Sequence, residues 1–195
     1  IVAPMLFVLY FAFTDENGFS LSNITSLSQY SNVFILSIAF ALIATVVCLI
    51  IGYPLAYFMA KASPRMQKML MVLIMLPMWC NLLIRTYALM ALLDNGGLLN
   101  SLLESLGLGK LHIVGTNFGV ILGMVYDFLP YMVMPIFTAM TKLDKRYIEA
   151  SQDLGCNHLQ TMTRVIMPLT ISGVISGVTM VFVPSISTFY ISQKL

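Results

Sequence analysis

Residues 33–60 read VFILSIAFALIATVVCLIIGYPLAYFMA, an apolar run that holds no Asp, Glu, Lys or Arg. A helix needs about 20 mostly apolar residues to cross roughly 30 Å of hydrocarbon, so this run is long enough to span a bilayer. Working outward, Met69–Leu93, Asn117–Thr141 and Val165–Ser192 pass the same test. Ile1–Phe13 is apolar but too short. Its length would suit a signal segment, yet nothing basic precedes it and Phe13–Gly18 does not form a small-residue cleavage site. It is read as a truncated first span. The composition agrees, with 59% hydrophobic and only 9% charged residues, against about a quarter charged in a soluble domain. The expected fold class is all-α, a polytopic transmembrane helix bundle with about five spans, the first truncated and the last missing. Residues 1–195 would form a single partial transmembrane domain.

Charge reports orientation. Cytoplasmic loops are enriched in Lys and Arg, and Lys61–Lys68 holds Lys61, Arg65 and Lys68 without an acid. Met140–Arg164 adds Lys142, Lys145, Arg146 and Arg164, whereas Thr14–Asn32 and Asp94–Thr116 together hold only Lys110. Both base-rich loops are therefore expected inside, and Lys194 near the outer surface. The net charge of +2 and the absence of a long basic block exclude nucleic acid as a partner. In the outer loop, Leu98, Leu99, Leu102, Leu103 and Leu106 recur at helical spacing after Asn95-Gly96-Gly97, which predicts a short interfacial helix. Pro54, Pro77, Pro130, Pro135 and Pro184 fall inside spans, where each removes a backbone donor and calls for neighbours that cover the gap.

Enzyme signatures are missing. An intramembrane aspartyl protease needs two carboxylates at one site, and Asp127 is alone in the spans. His112 and His158 fall in loops, so no base accompanies a membrane nucleophile, and no His-Glu-x-x-His run exists. Gly107-Leu108-Gly109-Lys110-Leu111 fails the phosphate-cradle pattern at both ends. Cys48, Cys80 and Cys156 have no metal or disulfide spacing, so the metal expectation is none.

The cytoplasmic segment 142–168 carries the most specific signal. Tyr147, Ile148, Ser151 and Leu154 share one helical face, while Arg146, Glu149 and Asp153 are spaced for local ion pairs. Gly155 stands where a left-handed cap would end that helix, Asn157 and Gln160 are spaced to cap a second one with Leu159, Met162 and Ile166 on its apolar face, and Pro168 opens the next span. The pattern Glu149-Ala150-Ser151, Gly155, then Val165-Ile166-Met167-Pro168 resembles the EAA loop of binding-protein-dependent importers. Ser151, Val165 and Met167 replace the family's Ala, Ile and Leu, while the Glu, Gly and Pro positions are intact. The resemblance implies a type I ABC importer permease fold in which this loop docks on a separate ATPase, with Glu149, Ala150, Ser151, Gly155 and Pro168 as coupling residues.

The resemblance extends along nearly the whole chain. Gly52-Tyr53-Pro54-Leu55-Ala56-Tyr57, Leu76-Pro77-Met78-Trp79-Cys80-Asn81 with Arg85 and Tyr87, and Leu129-Pro130-Tyr131-Met132-Val133-Met134-Pro135 are similar to the spermidine and putrescine permeases. That kinship implies a multi-pass inner-membrane subunit with a second permease subunit, two ATPases carrying ATP and Mg, an extracytoplasmic polyamine-binding protein, and no cofactor in this chain. The same architecture with another solute, an iron complex, a sugar or an opine, or a secondary transporter without an ATPase, are the alternatives. The residues add their own hint. Asp127 is an acid at membrane depth with Tyr126 beside it and Trp79, Asn81, Tyr87 and Tyr131 on the spans, and aromatic faces attract ammonium groups. These six are the substrate-pathway candidates. Counting about 1.5 Å per residue puts Arg85 at a depth similar to that of Asp127, so the acid has two readings, an Arg85–Asp127 ion pair or a substrate contact.

Overall fold

The computed structural model describes residues 10, 13–15, 18–19, 31–107, 109 and 112–194. The expected first span, Ile1–Phe13, falls almost wholly outside them, as does Lys110. The chain divides into two compact units, Ile1–Ala39 and Phe40–Leu195. In the first, a two-residue pair of strands, β1 (Thr14–Asp15) and β2 (Gly18–Phe19), runs antiparallel with Thr14 opposite Phe19.

Everything else described that is regular is helical. The long α1 (Ser31–Lys61) runs through Pro54 and across the division into the second unit. It is followed by α2 (Pro64–Met75), a turn of 3-10 helix (Leu76–Trp79) and α3 (Leu82–Leu93). Then come α4 (Leu98–Ser105), α5 (Asn117–Thr141), α6 (Lys145–Asp153) and α7 (His158–Thr161). A turn of π-helix (Met162–Ile166), α8 (Met167–Leu169) and α9 (Ile171–Lys194) close the order. Three helical stretches, Val33–Lys61, Leu82–Ser105 and Asn117–Thr141, are long and apolar enough to cross a membrane, and the bent pair His158–Leu169 with Ile171–Ser187 makes a fourth if taken as one span.

Two of the expected spans are interrupted. Met69–Leu93 is two helices, because Pro77 cannot donate to the turn before it and the chain leaves the helix at Cys80 (φ −78°, ψ 148°). Val165–Ser192 is broken at Thr170, where the axis turns by 67°; its straight part begins only at Ile171. The short outer-loop helix forms as expected, with Leu98, Leu102 and Leu106 exposed. Its Asn100 is buried and donates to the Asp94 carbonyl at 2.9 Å, closing the loop after α3.

Helix α5 is the hub. Lipid is as apolar as leucine, so helices in it associate by close packing rather than by escape from water. α1 offers small residues at one-face spacing, Ala41, Ala44, Cys48 and Ala56, all fully buried, and they share the core with Met124, Met132 and Ile136 of α5. Opposite faces of α1 leave Ile43, Ile50 and Phe58 exposed, as a lipid-bathed helix would. α9 approaches α5 more closely still, through Gly173 and Gly177, one helical turn apart. A Cβ at Gly173 would lie 2.6 Å from the Ala139 Cβ and 2.8 Å from the Pro135 carbonyl oxygen, and one at Gly177 would lie 2.9 Å from the Met132 Sδ.

Because backbone stands in the way at Gly173, Gly173→Val should destabilise the detergent-solubilised protein by the cost of overpacking, about 1–3 kcal/mol or more, and so lower its thermal midpoint. Gly123→Ala, where nothing lies within 4 Å of the added carbon, should not lower that midpoint in the same scan, since alanine also favours the helix.

Candidate functional site

Asn81 begins α3 by accepting from the Leu83 N–H at 2.9 Å, the orphan donor that a helix start leaves over. One turn later Arg85 reaches across to α5. Its Nε lies 2.7 Å from Asp127 Oδ1, and the two side chains are 8% and 6% exposed. A charge this deep in an apolar bundle is costly unless paired, which is the physical reason for the contact. The guanidinium does more. Its terminal nitrogens donate to the Pro77 carbonyl at 3.4 Å and to the Asp127 carbonyl at 3.5 Å, and its carbon lies 5.7 Å from the centre of the Tyr126 ring. Thr86, a residue the sequence reading did not single out, donates to the Leu82 carbonyl at 2.8 Å and stands 3.4 Å from Asp127 Oδ2. Its adjacency to Arg85 on a helix was the signal that could have found it.

The cluster therefore gathers Arg85, Thr86, Tyr126 and Asp127 around the break at Pro77. A cavity of about 250 Å³ opens beside it, walled by Thr86, Leu89, Met90, Val120 and Gly123. The other aromatic candidates stand apart from the ion pair. Trp79 is 85% exposed and Tyr87 57% exposed, and Tyr131 packs against Phe128 with ring centres 6.2 Å apart and planes tilted by 49°.

The second feature is the corner formed by α6 and α7. Asp144 caps α6 through the Arg146 N–H. The helix ends on Gly155 at φ +80°, where the Cys156 N–H reaches the Ser151 carbonyl at 3.0 Å and the Gly155 N–H the Gln152 carbonyl at 2.9 Å. This double closure requires the left-handed conformation that glycine adopts without strain. Asn157 and Gln160 then cap α7 reciprocally, side chain to backbone in both directions. Buried Ser151 and Thr161 join the two helices by a 3.0 Å hydroxyl contact. Ser151 thus turns inward, while Tyr147 and Leu154, expected on the same face, are exposed; one short helix cannot bury a face on which nothing packs. Among the described residues Arg146, Glu149 and Asp153 form no ion pair within 4 Å, since each points into solvent and gains little from pairing there. Glu149, Ala150 and Pro168 are exposed as well. A cavity of about 550 Å³, bordered by Tyr57, Gln67, Met140 and Glu149, separates α6 from the ends of α1, α2 and α5.

A bundle of apolar, interrupted helices with a two-helix corner is the architecture of a polytopic membrane protein. Residues 52–194 match the family described as binding-protein-dependent transport system inner membrane component. The chain belongs to that family. It is 38% identical over 206 aligned residues to the spermidine/putrescine transport system permease protein PotB of Haemophilus influenzae, covering 100% of this chain and 72% of that one. It is 43% identical over 181 residues to PotB of Escherichia coli, covering 91% and 66%, and 30% identical over 190 residues to the inner membrane ABC transporter permease protein YdcU of Escherichia coli, covering 89% and 61%. The chain therefore spans roughly two thirds of the length of these relatives, and its helical bundle is the type I ABC permease fold expected from the sequence.

Removing either charge of the buried pair strands the other. Arg85→Gln and Asp127→Leu should each destabilise the protein by about 3–5 kcal/mol, and the double replacement Arg85→Met with Asp127→Leu should recover most of that loss. Unfolding midpoints of the purified complex check it.

Proposed function

We propose that this chain is the permease subunit of an ATP-driven importer of polyamines, spermidine or putrescine, working by alternating access in the cytoplasmic membrane as a multi-pass protein. Its partners on this reading are a second permease subunit, two ATPase subunits that hydrolyse ATP with Mg, and an extracytoplasmic polyamine-binding protein. The chain itself does no covalent chemistry and needs no cofactor. Residues 1–195 act as one partial transmembrane domain whose base-rich loops, 61–68 and 142–168, face the cytoplasm.

The observation that carries the reading is the corner at Gly155. Leu154 and Leu159 are 85% and 74% exposed on it, so two large apolar side chains are offered to an outside partner at the point where the EAA pattern lies. Glu149, Ala150, Ser151, Gly155 and Pro168 serve as the coupling residues, with Ser151 locking the corner and Gly155 shaping it. A rigid piece of this kind transmits closure of an ATPase dimer as a rigid-body motion. The cargo is supported by the relatives named for spermidine and putrescine. Trp79, Asn81, Tyr87, Tyr126 and Tyr131 line the pathway, and Asp127 alternates between Arg85 and an ammonium group of the solute.

Uptake of labelled spermidine into vesicles holding the full-length complex should require internal ATP and be lost in Gly155→Asp. ATP hydrolysis stimulated only by some other solute's binding protein would keep the importer and discard the polyamine; uptake without ATP would point to a secondary transporter. Asp127→Asn keeps the shape of the side chain but strands Arg85, so it should lower the amount of assembled complex, and uptake per assembled complex should fall further still. Normal uptake by that variant would remove Asp127 from the pathway.

A further inference from the structure

The bend at Thr170 lies between two parts that are each held firmly. Before it stands the corner of α6 and α7, tied by Ser151 and Thr161 and continued by a wide π turn into α8. After it, α9 is seated on α5 by Gly173 and Gly177. Thr170 is fully buried, with backbone angles φ −99° and ψ 7°, and the 67° change of direction occurs at this residue. Its hydroxyl donates to the Ile166 carbonyl at 2.8 Å. The Tyr53 hydroxyl, 6% exposed, lies 3.0 Å from Thr170 Oγ1, a hydrogen bond in which either oxygen can donate.

Tyr53 comes from α1, immediately before Pro54, and is the hydrogen bond that ties the bend to that helix. Thr170 does not need it to satisfy its own hydrogen, which the preceding turn already takes. The contact instead fixes the position of the bend against a helix that belongs to neither of the two parts the bend connects. Three helices therefore converge on one residue: α8 and α9 through the backbone and α1 through a phenol.

We propose that Tyr53 is a positioning residue of the transport cycle, its hydroxyl holding Thr170 as the pivot about which the corner swings, so that the swing reaches α1 as well as α9. This rests on the reading of the corner as the ATPase-coupling element. Without the phenol the bend has no fixed centre, and motion of the corner is spent in flexing the turn at Thr170 instead of moving α1.

The test measures ATP hydrolysed per solute molecule taken up by the complete importer in vesicles. The variants are Tyr53→Phe, Thr170→Val, Thr170→Ser and the double variant Tyr53→Phe with Thr170→Val, beside Gly155→Asp. Tyr53→Phe and Thr170→Val should each raise the ratio, by at most about fivefold, the factor reached when the whole free energy of one hydrogen bond is lost from coupling. The double variant should go no further than Thr170→Val alone, which already removes the contact. Thr170→Ser keeps the hydroxyl and should retain the wild-type ratio; the ratio is compared per assembled complex, because Thr170→Val also loses the bond to the Ile166 carbonyl and strands the buried Tyr53 hydroxyl. An unchanged ratio in Tyr53→Phe, with uptake falling only as assembled complex falls, would reduce the contact to packing and overturn the pivot. Additive effects in the double variant would overturn it too. Gly155→Asp separates the two levels: loss of uptake there beside a normal Tyr53→Phe defeats the pivot alone, whereas undiminished ATP-dependent uptake in Gly155→Asp defeats the coupling reading and the pivot with it.

Discussion

Hydrocarbon offers no hydrogen bonds, so every place where a helix of this chain breaks has to be satisfied from inside the protein. The interruptions are the points around which the structure is organised. At Leu76–Trp79 the Pro77 carbonyl is met by Arg85, whose charge is in turn met by Asp127. At Thr170 the buried turn is capped by the residue's own hydroxyl on the Ile166 carbonyl, and that hydroxyl is met in turn by Tyr53. In both cases a break on one helix recruits a polar side chain from another, and that side chain fixes how the helices sit together.

A transporter gains from such an arrangement. A straight apolar helix can slide or tilt in lipid at little cost, whereas a helix broken at a defined residue and pinned there has a preferred axis of movement. The close seam of α5 and α9 makes one rigid member, with glycines allowing backbone to meet backbone. The looser association of α1 with α5, methionine against alanine, keeps contact through longer and more adaptable side chains. The difference in closeness between these two interfaces suits the rearrangement that the proposed transport cycle requires.

The cavity of about 550 Å³ beneath α6 fits the same picture. The corner is internally rigid, closed by the double hydrogen bond at Gly155 and by the reciprocal caps of Asn157 and Gln160, yet it is not buried against the bundle. Rigidity within the piece and space around it are what the proposed coupling role asks of it.

Much of this was legible in the sequence, because apolar length and helix-end chemistry are local properties. The run from Val33 to Ala60, the loop leucines, the cap at Gly155 and the capping box at Asn157 were all readable from residues a few positions apart, and helical counting put Arg85 and Asp127 at one depth. What the sequence could not supply were the partners that lie far along the chain. That Pro77 ends a helix rather than kinking it, that Ser151 faces Thr161 while Leu154 faces out, that Gly173 meets Pro135, and that Tyr53 finds Thr170 were decided only by the tertiary structure. Side-chain periodicity tells which face of a helix is apolar. It does not tell which neighbour comes close enough to be touched, because that depends on the packing of the whole bundle.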